Sequence, residues 1–190
     1  LVLLLAFALC ILNVEAQEGK KSASNLDASD KYKISVKAKQ LKSDSLFLGY
    51  YYCGKLYVQD TLSLDKKGCG VFANKEKLNE GTYVMYFHGS KYFDLLIGND
   101  QEFLVEIGDT LSLPESVKIS GASVTEDFHN YTLGLKSAQA AYNKLSEEIK
   151  ATEDSVKKES LRQEAMEIFN STNVLRDDLI NAHTGDMLGL

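Results

Sequence analysis

At Gly121 the hydrophobic period of this chain changes from two residues to about 3.6, and that single change constrains the fold more than any other feature. Before it, Tyr32, Ile34, Val36 and Ala38 alternate with Lys33, Ser35, Lys37 and Lys39, the pattern of a strand with one buried face. After it, apolar residues fall at 128, 131, 135, 138, 142, 145 and 149, the stripe of an amphipathic helix. Strands and helices are therefore segregated along the chain, which predicts an α+β protein: an antiparallel β-sandwich or open barrel followed by a long helical hairpin.

Residues 31–120 supply eight or nine short strands. Leu46 to Tyr52 leads through a Cys53-Gly54-Lys55 turn into a strand over 56–64, in which Val58, Leu62 and Leu64 share a face with one polar exception, Asp60. Lys66-Lys67-Gly68 turns the chain into a strand centred on Val71-Phe72. Tyr83, Met85 and Phe87 alternate after the turn signal Asn79-Glu80-Gly81. Tyr92–Ile97 and Phe103–Ile107 flank Gly98-Asn99-Asp100, which reads as a hairpin connection, and Leu111–Leu113 and Val117–Ile119 complete the set. Strands at this spacing are those of a sandwich or barrel.

The helical zone, 121–185, opens on Ser123-Val-Thr-Glu126, a capping-box pattern in which the serine caps and the glutamate reaches back. A second stripe, Leu161, Ala165, Ile168, Leu175, Leu179 and Ala182, is out of phase with the first, so a turn near 152–160 separates two helices. His183 and Gly185 mark a helix C-terminus.

The two ends carry different signals. Residues 1–12 form an uncharged apolar run, too short to span a membrane, and Val14-Glu15-Ala16 places small residues at a cleavage site; residues 1–16 are expected to be a truncated signal peptide. Export to a periplasm or cell envelope follows. Lipidation at Cys10 is disfavoured by Leu9, where a small residue is needed. Residues 17–30 are polar and small, a flexible linker. Residues 186–190 read as the start of a truncated following segment.

Composition bears mainly on exclusions. A net charge of −6 argues against a nucleic-acid partner. Residues 17–123 carry 14 basic and 14 acidic side chains, whereas residues 124–182 carry 7 and 11, an acidic solvated helical face. Once the leader is cleaved, no membrane span is expected.

Little here points to catalysis. Cys53 and Cys69 flank a strand about 30 Å long at roughly 3.3 Å per residue, whereas bridged Cα atoms lie within about 7 Å. In a meander they cannot bond within one molecule, which leaves their redox state between free thiols and an intermolecular link. No Cys-x-x-Cys dithiol occurs. His88, His129 and His183 lie on three elements without a second ligand at metal spacing, although Asp127 and Asn130 flank His129. Gly89-Ser90 lacks a nucleophile elbow, and Gly68-Cys69-Gly70 does not open a helix as a phosphate loop must. Asn130-Tyr-Thr and Asn170-Ser-Thr match the glycosylation pattern. No catalytic, cofactor or metal residue is assigned, and no cofactor is expected.

Ten tyrosines are the one enrichment. Tyr50, Tyr51, Tyr52 and Tyr57 cluster at one turn, where strand alternation sends Tyr51 away from Tyr50 and Tyr52. Sheet packing accounts for such residues; a partner-contact patch that includes Tyr51 and Tyr57 is the sharper alternative.

Gly54-Lys55-Leu56-Tyr57, Asp60-Thr61, Gly68, Phe72, Gly81-Thr82-Tyr83 and Phe93-Asp-Leu-Leu96 resemble a known module, the β-rich N-terminal domain of exported thioredoxin-like proteins of the TlpA/ResA type (AhpC/TSA superfamily) found in Bacteroidota. Gly121-Ala-Ser123, with Phe128 and Tyr131, is similar to the start of that family's helical hairpin, so the resemblance covers about residues 31–185. It implies a non-catalytic accessory domain of a thiol-disulfide oxidoreductase. Its partner would be a downstream thioredoxin-like domain of the same polypeptide, where Trp-Cys-x-x-Cys carries the exchange, and an envelope protein is a further possible partner. No catalytic position of the family has a counterpart here. A stand-alone envelope binding or structural interaction module is the alternative.

Overall fold

The structure is a computed structural model that describes residues 31–41, 44–89 and 91–185. The readings of residues 1–30, including Cys10, and of 186–190 fall outside the described residues. Eight strands precede two helices: β1 (Tyr32–Lys37), β2 (Ser45–Tyr52), β3 (Lys55–Ser63), β4 (Cys69–Asn74), β5 (Gly81–Phe87), β6 (Lys91–Ile97), β7 (Glu102–Ile107), β8 (Val117–Ser120), α1 (Ser123–Ala151) and α2 (Ser155–Ala182).

The strands form two four-stranded sheets, ordered β4-β1-β7-β8 and β3-β2-β5-β6, that do not close into a barrel. The alternating apolar positions face one shared core. Ile34, Val36, Leu46, Leu48, Phe72, Met85, Leu95, Ile97 and Val105 are each at most 1% exposed, and burying an aliphatic or aromatic side chain of this size contributes about 1.5–3 kcal/mol. Tyr32, buried in the first sheet, donates from its hydroxyl to Asp60 Oδ2 of the second at 2.6 Å, so the polar exception on β3 ties the two sheets together. Burial and this carboxylate push the Tyr32 phenol well above its ordinary range.

Several expectations are corrected. The strands are not a meander: the chain crosses from the sheet of β1 to the other sheet for β2–β3, returns for β4, crosses again for β5–β6 and returns for β7, which pairs in parallel with β1. Gly98-Asn99-Asp100 accordingly links strands of different sheets and is not a hairpin connection. Leu111–Leu113 is a loop. Its backbone turns on Asp109, whose carboxylate accepts from Leu111 N–H while its carbonyl accepts from Ser112 N–H. Pro114 then adds a residue with no N–H to offer a ladder. In β3 the register shifts opposite Leu48/Gly49, so Val58 pairs with Gly49 and leaves the face of Asp60 and Leu62, becoming 41% exposed. Gly49 is required there, since a Cβ would lie 2.9 Å from the Tyr57 carbonyl. The capping box is half formed: Glu126 accepts from Gly121 N–H at 2.6 Å and Ala122 N–H at 3.2 Å, but Ser123 is already helical and caps nothing.

Cys53 and Gly54 both adopt positive φ, 49° and 75°, in the tight β2–β3 turn. The helices break at 152–154, where Asp154 accepts from Val156 N–H and Lys157 N–H to cap α2. α1 packs on β6 and β8, the edge strands on one side of the sandwich, whereas α2 packs on α1 and on no described strand. Thr125, His129, Leu161 and Leu179 are the buried helix residues. Much of the apolar surface remains open: Met166 and Phe169 are 62% and 60% exposed, and Tyr142 and Leu175 of the two stripes lie at 47% and 37%.

The loop between β4 and β5 is held by one side chain. Gln101, buried, accepts from Leu78 N–H and donates to Leu78 O, both at 2.9 Å, and donates to Gly98 O at 3.1 Å. Gln101→Ala removes every partner of these groups and is expected to lower stability by about 2–3 kcal/mol in urea unfolding, since each orphaned buried group costs about 1–3 kcal/mol; a loss below about 0.5 kcal/mol contradicts this role.

Candidate functional site

A cleft of about 450 Å³ opens beside β6, between the first residues of that strand, the loop over 109–116 and the middle of α1. Lys91, Tyr92 and Asp94 come from β6, Leu111 and Pro114 from the loop, and Thr132 and Lys136 from α1. Each wall has a local cause. The loop is folded on Asp109 and tied to α1 by Lys136 Nζ, which donates to Leu113 O at 3.0 Å and pairs with Glu115 at 2.7 Å. That ammonium holds the Glu115 carboxyl below the usual carboxylate range. Lys91 Nζ donates to Thr110 Oγ1 at 3.3 Å across the cleft.

Asp94, exposed on the outer face of the sheet, has its carboxyl pushed above the ordinary value by partial desolvation. On the same outer face, Tyr51 is raised first by desolvation and then by Tyr92 and Asp94. Tyr51 therefore continues the cleft rim across the sheet, 57% exposed. The face goes on with Phe47, stacked on Tyr86 at 5.0 Å and edge-on to His88 at 5.6 Å.

Tyr57 lies elsewhere. It stacks on Tyr50 at 5.7 Å and meets Tyr52 at 6.4 Å, while Tyr50 also reaches Tyr83 at 6.1 Å. The structure thus places Tyr51 and Tyr57 on opposite faces of the sheet, as alternation requires, and does not unite them in one patch. Cys53 is exposed at the β2–β3 turn and Cys69 half-buried at the start of β4, so the nine residues of β3 lie between two free thiols. Asn130 and Asn170 are exposed on the helices. His88 lies beyond β5, His129 on α1 and His183 at the end of α2, and no group of three or more potential metal ligands forms among the described residues.

Behind the cleft, His129 fills the joint between α1 and β8. Its ring Nε2 lies 3.1 Å from the Val117 carbonyl, which fixes the Nε2–H tautomer and leaves Nδ1 buried without a partner among the described residues. Burial lowers its pKa. The next turn of α1 is fastened by Thr132 Oγ1, which donates to His129 O at 2.7 Å. At the same end of the helix pair, where α2 finishes beside the start of α1, His183 Nε2 meets Asp127 Oδ2 at 2.9 Å.

The cleft lining offers the Lys91 and Lys136 ammonium groups, the Asp94 carboxyl, the Thr110 and Thr132 hydroxyls, the Tyr92 ring and apolar side chains, the mixture of apolar wall and few polar groups that ligand pockets use. Sequence reasoning missed Lys91, Thr110, Leu111 and Lys136. Asp109 and Pro114, both turn formers, were the available signal that the strand ends before Thr110.

No helix among the described residues is long and apolar enough to cross a membrane. No family model, curated protein or solved structure matches the chain.

His129 makes folding pH-dependent. Below its ordinary value of 6.5 the unfolded chain takes up a proton that the folded chain, with its lowered value, refuses. Stability is therefore full above that pH and falls as pH drops from 6.5 toward the folded value. The contribution is at most about 1.4 kcal/mol per pH unit. His129→Gln, which keeps a donor for Val117, should flatten this part of the curve of unfolding free energy against pH. An unchanged slope between wild type and variant contradicts the assignment.

Proposed function

We propose that this chain is the non-catalytic accessory domain of an exported thioredoxin-like thiol-disulfide oxidoreductase, positioning a catalytic domain or its partner. The observation that carries the reading is the placement of sulfur. Dithiol exchange needs two thiols within bonding reach, and Cys53 and Cys69 are free at opposite ends of β3. Electron transfer would then belong to a thioredoxin-like domain of the same polypeptide.

The residues that carry the resemblance occupy structural positions suited to a scaffold. Gly54 and Tyr57 shape the β2–β3 hairpin, Gly81 opens β5, Phe93 is buried in β6, and Gly121 with φ 106° joins sandwich to helix. The open apolar side chains Met166 and Phe169 on α2 offer a surface against which a second domain or protein can pack. A stand-alone envelope binding module is the second reading, favoured by the exposed rings of Tyr51 and Tyr92 on one sheet face.

Two measurements test this. The coding frame past residue 190 should encode a thioredoxin-like domain with Trp-Cys-x-x-Cys; a stop codon there removes the first reading and leaves the second. In an insulin-reduction assay with dithiothreitol, the 190-residue chain should give the uncatalysed rate, unchanged by Cys53→Ser or Cys69→Ser. Acceleration that either substitution abolishes refutes both readings.

A further inference from the structure

Among the described residues β6 is an edge strand: it pairs with β5 on one side and with no described strand on the other. Leu96 turns its carbonyl to that open side, where it accepts from Thr125 Oγ1 of α1 at 2.7 Å. In an antiparallel ladder the N–H and C=O of alternate residues point the same way, so those of Tyr92 and Asp94 also point outward. Near Leu96 the helix covers the edge. At Tyr92 and Asp94 it is the wall of the cleft that faces these groups, and no described residue pairs with them.

Two features around this edge are left unmatched. Leu111, on the loop wall, is 82% exposed. Lys91 reaches the Thr110 hydroxyl and no carboxylate among the described residues. Main-chain donors and acceptors repeating every second residue, about 7 Å apart, are matched by another extended strand and by little else.

We propose that this cleft binds an extended peptide that adds to β6 as a further strand. Its backbone pairs with the outward N–H and C=O groups of Tyr92 and Asp94, an apolar side chain rests on Leu111 and Pro114, and a carboxylate meets Lys91. The site goes beyond the accessory-domain reading and does not depend on it.

The test uses the fluorescein-labelled peptide Val-Glu-Val-Thr-Val and the same peptide with alternate backbone nitrogens methylated, titrated against the 190-residue chain by fluorescence anisotropy. The unmethylated peptide should bind saturably, and methylation, which removes its main-chain donors, should weaken binding at least about tenfold. Thr132→Trp, which fills the cleft from α1, should weaken it similarly while circular dichroism stays that of wild type. Lys91→Gln should cost about threefold and reduce the salt dependence. Absence of saturable binding at millimolar peptide, or equal binding of the methylated peptide to wild type, overturns the proposal. The methylated comparison needs no variant to fold, and failure here leaves the coding-frame test untouched.

Discussion

The joint between α1 and the edge strands holds the two halves of this protein together. Two sheets packed face to face leave their sides open, and on one side β6 and β8 present unpaired edges. The first turns of α1 close that opening. Thr125 bonds the Leu96 carbonyl of one sheet, and His129 bonds the Val117 carbonyl of the other. Val124 rests on Gly98, where a side chain would be in van der Waals contact with it. Thr125 Oγ1 and His129 Nε2 are each buried with a carbonyl partner, so the joint is specific as well as adhesive. Farther along, Lys136 fastens the middle of α1 to the loop over 109–116, and His183, just after α2, meets Asp127 beside the joint.

The joint also explains why the cleft lies where it does. α1 continues past β8 and is caught by the loop over 109–116 through Lys136, leaving the early residues of β6 uncovered between helix and loop. The same geometry leaves the helical hairpin exposed. α2 has only α1 to pack on, so Leu161 and Leu179 are buried while Phe169, Met166 and Val174 stay in solvent. A helix pair that leaves such apolar side chains open is suited to receiving a neighbour, as the accessory role proposed for it requires.

Much of the local structure was legible because it is set by nearest neighbours. Alternation located most of the strands, and the buried set Tyr32, Ile34, Val36 and Ala38 is the one the period of two demands. The out-of-phase stripes located the helix break that Asp154 caps. Where the reading erred, a distant or competing contact decided the outcome. Val58 left its expected face because a bulge opposite Leu48/Gly49, where the missing Cβ of Gly49 leaves room for the Tyr57 carbonyl, inserted one residue into β3. Leu111–Leu113 has strand-like composition, but Asp109 captured its N–H groups first. Ser123 was displaced from the cap by one residue, while Glu126 kept its half of the motif.

The sequence by itself determined that strands come first and helices second, that Tyr51 and its neighbours point to opposite faces, and that Cys53 and Cys69 stand apart, because each of these depends on the direction and rise of one local segment. Only the tertiary structure decided which strands share a sheet, that β1 and β7 run in parallel, and that Lys91, Leu111 and Lys136 surround one cleft. Those outcomes are contacts between residues far apart in the chain, and periodicity carries no information about which buried face meets which.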